Sequence, residues 1–71
     1  MNELNERIIN LENLTKDYRN ELRRIKSAIK KVEKLGLIPP SEILFKKEEV
    51  ESILKEGKEE LKALKKVAKL I

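Results

Sequence analysis

The chain has 71 residues and a mass of 8.3 kDa, enough for one small domain. Charged residues make up 42% and hydrophobic ones 39%, with a formal net charge of +4. It holds no Cys, His, Trp or Gln, which excludes zinc fingers, thiol nucleophiles, disulfides and imidazole bases.

The first predicted element is a long helix over residues 2–35. Met1, Leu4, Ile8, Leu11, Thr15, Tyr18, Leu22, Ile25, Ile29 and Val32 fall on alternating steps of three and four, the a and d positions of a heptad repeat. Thr15 is the one polar member, and its hydroxyl is expected to bond a carbonyl one turn back. Tyr18 is expected in the core.

A turn follows over 36–41. Gly36 suits the left-handed position that closes a helix, because it has no Cβ to clash. Pro39 and Pro40 cannot continue that helix, and Ser41 is expected to cap the next one through its hydroxyl.

The second helix is predicted over 42–70. Its seam reads Ile43, Lys47, Val50, Leu54, Gly57, Leu61, Leu64, Ala68 and Ile71, with Lys47 and Gly57 as defects. Gly57 costs about 1 kcal/mol relative to Ala inside a helix, so a hinge or a close neighbour is expected there. Centring the reversal on the two prolines pairs Ile29 with Val50, Ile25 with Leu54, Tyr18 with Leu61 and Ile8 with Ile71. It also sets Leu22 against Gly57 and Leu11 against Ala68, large beside small.

Charge supports the antiparallel arrangement independently. Successive blocks 1–15, 16–35, 36–60 and 61–71 carry −2, +5, −3 and +4. A chain folded back on itself sets opposite signs side by side, and each helix begins acidic and ends basic, as its macrodipole favours. The expected fold is all-α, a coiled-coil-like antiparallel hairpin filling a single domain over 1–71.

A lone hairpin buries one seam and leaves its outer faces wet, which is little burial for a chain of this length. The g flank offers more: Leu14, Ala28 and Leu35 on the first helix, Ile53 and Val67 on the second. The expected register puts Leu14 near Val67, Ala28 near Ile53, and Glu21 beside Glu60. These two carboxylates read as solvated rim residues, or more sharply as a lock for a partner's Arg or Lys. Phe45 is expected to cap the turn end with Leu35, Leu37 and Ile38, or else to anchor a partner. Two hairpins joined through this flank form a homodimeric four-helix bundle.

Lys16, Arg19, Arg23, Lys26 and Lys30 form a basic ridge about 21 Å long at 1.5 Å per residue. Such a ridge can track a phosphate backbone. The plainer reading pairs it with the acidic half of the second helix, Lys26 with Glu51, and no aromatic is interleaved to stack a base. The tail lysines Lys62, Lys65, Lys66 and Lys69 lie among apolar residues, a pattern suited to an anionic membrane or a partner groove. Their plainer role is to pack that helix end on residues 4–14.

Carboxylates and lysines occur at spacings that surface charge patterning explains, so no enzyme, cofactor or metal is expected. The longest apolar run, Ile43-Leu44-Phe45, is too short to span a membrane. The first fifteen residues lack an apolar signal core, so a cytoplasmic location is expected. A composition rich in Lys, Glu and Ile, without Cys or Gln, resembles that of heat-adapted proteins. The expected role is a structural or protein-interaction module that self-associates through Leu14, Ala28, Ile53, Val67, Leu35 and Phe45. The alternative is a small basic nucleic-acid-binding protein using the Lys16–Lys30 ridge.

Overall fold

The computed structural model describes residues 2–71. Two helices, α1 over Glu3–Lys34 and α2 over Ser41–Leu70, pack against each other along their length with no strand among the described residues. Together they make a rod of 54 × 16 × 15 Å. Met1, first in the heptad seam, lies outside the described residues.

Local chemistry sets the helix ends. The Asn5 N–H donates to Asn2 Oδ1 at 2.8 Å, satisfying one of the orphan donors of the first turn. At the other end Gly36 takes φ +76°. Its N–H donates to the Glu33 carbonyl at 3.0 Å, and the Leu37 N–H donates to the Val32 carbonyl at 3.2 Å. That pair of bonds is a Schellman motif, which needs a left-handed residue where Gly36 stands.

The start of α2 departs from expectation. Ser41 is the first helical residue rather than the cap, and Pro40 precedes the helix with no side-chain cap bond. Pro40, at φ −59° and ψ 143°, already holds the extended entry geometry. Its carbonyl accepts from the Ile43 and Leu44 N–H groups. The hydroxyl of Ser41 is therefore not needed to start the helix.

The seam is as the heptads dictate. From Leu4 to Val32 every a and d residue of α1 is buried or half-buried, as is every seam residue of α2 from Ile43 to Ala68. Ile25, Val50 and Leu54 form the buried core, with Tyr18, Leu22, Ile29 and Ile43 packed on it. Ile71 is 89% exposed and does not join the seam against Ile8.

The register differs from the expected one by a heptad. Gly57 faces Thr15, whose Cγ2 lies 2.9 Å from the place a Cβ on Gly57 would occupy. Thr15 and Gly57 are equally distant in sequence from Gly36. The reversal therefore pivots on the left-handed glycine, and the prolines belong to the returning segment. Counting outward from Gly36 sets Leu22 level with Val50, Leu11 with Leu61, and Leu4 with Ala68. Leu22 does not face Gly57, and Leu11 does not face Ala68.

Lys47, the charged defect of the seam, comes level with Ile25. It lines a groove together with Ile29 and Lys30, and its ammonium lies 3.9 Å from Glu51 Oε1.

Candidate functional site

Because α1 and α2 run antiparallel with a heptad seam, their g flanks share one edge of the rod and their b and e positions share the other. The two edges are unlike in both charge and apolar content.

On the g edge, Arg7 pairs with Glu60, and Lys46 Nζ lies 3.7 Å from Glu21 Oε1. Glu21 and Glu60 are not neighbours: each is held by a cation of the opposite helix within the same chain. The sequence-derived register would have set two carboxylates side by side; the observed one gives each an opposite charge. Leu14 and Ile53 line one groove together with Thr15 and Gly57. The pairings of Leu14 with Val67 and of Ala28 with Ile53 do not occur. Ala28 lines a separate hollow with Arg24 and Lys31, and Val67 falls level with Asn5. The expected apolar stripe is thus cut into a central Leu14–Ile53 patch bracketed by two ion pairs, with Ala28 and Val67 beyond them.

The turn end is open. Leu35, Leu37, Ile38 and Phe45 are all exposed, with Phe45 at 69% and Ile38 at 90%. These side chains do not bury one another. The cap expected of Phe45 is absent, and its ring points to solvent.

On the other edge, Lys16, Arg19, Arg23, Lys26 and Lys30 are exposed, and none takes part in an ion pair among the described residues. Glu51, the expected partner of Lys26, bonds Lys47 one turn earlier on its own helix. A second ridge joins the first. Lys55, Lys58, Lys62, Lys65 and Lys69 also step by three and four along the b and e positions of α2, and all five are exposed and unpaired among the described residues. Lys16 and Arg19 share a groove with Lys65, and Lys26 and Lys30 share another with Lys47.

Ten cations therefore stand on one edge against four carboxylates, Glu12, Glu33, Glu48 and Glu51, an excess of six positive charges. With a chain total of +4, the remainder of the molecule is net −2. Sequence reasoning took the last lysines as an amphipathic tail and missed this ridge. The signal was present: the same three-and-four step that reveals the first ridge continues through Lys55 and Lys58.

Among the described residues no group of three carboxylates is placed to hold a metal ion, and no helix is long and apolar enough to cross a membrane. No family model, curated protein or solved structure matches this chain.

Proposed function

We propose that the hairpin is a non-catalytic structural or interaction module that pairs with a second copy of itself through the g edge and the turn end. The observation that carries this reading is the imbalance between core and surface. Among the described residues only Ile25, Val50 and Leu54 are buried apolar residues, whereas Leu14, Leu35, Leu37, Ile38, Phe45 and Val67 are exposed. An exposed apolar surface of this extent on a small helical protein suits association.

Charge supports the choice of face. Two basic edges repel one another, while the g edge carries both signs and holds its carboxylates in internal pairs. Packing two hairpins by their g edges leaves the basic edges facing outward on opposite sides of a four-helix bundle. Leu14 and Ile53 then fill the middle of the interface, and the Leu35–Phe45 tips extend it.

Sedimentation equilibrium tests the reading. The expected native mass is twice the 8.3 kDa of the chain, reduced to a single chain by Leu14→Glu with Ile53→Glu. A wild-type monomer that melts cooperatively overturns it.

A further inference from the structure

We infer that the composite basic edge, Lys16–Lys30 of α1 together with Lys55–Lys69 of α2, is a binding surface for the phosphate backbone of a double-stranded nucleic acid. The inference rests on the hairpin register and not on dimerisation.

Register makes the surface. Counted from Gly36, Lys69 is level with Glu3 and Lys55 with Asp17, so the lysines of α2 continue the line where the α1 ridge stops. The ten cations run from the level of Glu3 to that of Lys30, about 40 Å at 1.5 Å per residue. A straight edge of that length lies along roughly 12 base pairs at 3.4 Å each. Neither helix alone provides it.

The composition of the edge selects the partner. Both aromatics lie off it: Tyr18 packs on the core, and Phe45 is at the turn end. There is no platform for stacking unpaired bases, which single-strand binders use. The apolar members of the edge are Ile9 and Leu44 alone, near opposite ends of the rod. An edge without an apolar stripe has nothing to insert beneath lipid headgroups. What it presents is a long row of ammonium and guanidinium groups outside the ion pairs, carried on a straight helical rod, which suits the phosphates that a stiff duplex turns toward it along its length. Contacts of this kind carry no base readout, so binding is independent of sequence.

Fluorescence anisotropy of the full chain with labelled 20-base-pair duplexes of two unrelated sequences, as DNA and as RNA, tests the proposal. The expected result is equal affinity for both sequences in at least one of the two duplex types. If about five phosphates are engaged, affinity falls roughly 500-fold between 50 and 200 mM salt. Lys58→Gln with Lys62→Gln is expected to flatten the salt slope by about two, and Arg19→Gln with Arg23→Gln by the same amount. Arg24→Gln with Lys31→Gln, removing equal charge away from the edge, leaves the slope unchanged. The monomeric Leu14→Glu, Ile53→Glu variant keeps the slope per chain, which separates this inference from the dimer.

Four results overturn it: no duplex binding at 50 mM salt, equal losses in the Arg24/Lys31 control, tighter binding to a single strand, or tighter binding to phosphatidylserine vesicles. Circular dichroism of each variant confirms that the helices are intact before its slope is read.

Discussion

The Cγ2 methyl of Thr15 lies 2.9 Å from where a Cβ on Gly57 would stand, so two of the seam's irregular positions fill one another. Thr15 is 5% exposed, and its hydroxyl donates to the Glu12 carbonyl at 2.9 Å. That bond satisfies the hydroxyl within its own helix and leaves the methyl facing α2. The hollow over Gly57 receives it.

Substituting Gly57 sets two effects against each other. Ala gains about 1 kcal/mol in helix propensity, but its Cβ meets a β-branched methyl that has little freedom to move. Overpacking of this kind costs about 1–3 kcal/mol, so Gly57→Ala is expected to destabilise the hairpin. Adding Thr15→Ser removes the methyl and is expected to recover about 1–2 kcal/mol relative to the single variant. Urea denaturation of the four proteins of the cycle measures the coupling. Additive effects would disprove the contact.

Gly36 tests the pivot. No atom stands within 4 Å of a Cβ built there, so a side chain at this position meets only the cost of its backbone conformation. At φ +76°, Gly36→Ala is expected to lower stability by about 1–2 kcal/mol. D-alanine, which favours positive φ, is expected to match or exceed wild-type stability. Thermal melts of synthetic chains distinguish the two.

Cross-linking reads the register directly. Leu22→Cys with Val50→Cys is expected to form an intramolecular disulfide on mild oxidation. Leu22→Cys with Gly57→Cys is not, since Gly57 lies seven residues further along α2, about 10 Å away. The opposite pattern, scored by gel mobility and mass, would restore the proline-centred hairpin.

The ion pairs of the g edge are partly exposed, and each is worth at most about 1 kcal/mol. Glu60→Arg sets two cations together and is expected to lower the melting temperature. Combining it with Arg7→Glu is expected to return it to near the wild-type value. Raising the salt concentration shrinks both effects, because these charges are screened.

Much of the architecture was legible in the residues. The heptad steps from Leu4 to Val32 predicted which side chains turn inward. Gly36, Pro39 and Pro40 located the break, and the helix ends fell within a residue of expectation. The internal bond of Thr15 followed from its place in an apolar seam. The register of α1 against α2 was not legible, and with it went the cross-helix pairs Leu22 against Gly57, Glu21 beside Glu60 and Lys26 on Glu51. The turn end was misjudged for the same reason, since a chain pivoting on Gly36 leaves Phe45, Leu37 and Ile38 uncovered.

Periodicity alone established two amphipathic helices and their reversal, because burial of an apolar stripe depends only on spacing along one chain. Tertiary structure alone decided which residues meet. A heptad seam slid by seven residues again sets apolar positions on apolar positions, so hydrophobic burial barely distinguishes the two alignments. The choice fell to short-range features that periodicity does not encode: a left-handed glycine with its two closing hydrogen bonds, a methyl seated over a bare Cα, and opposite charges brought within reach.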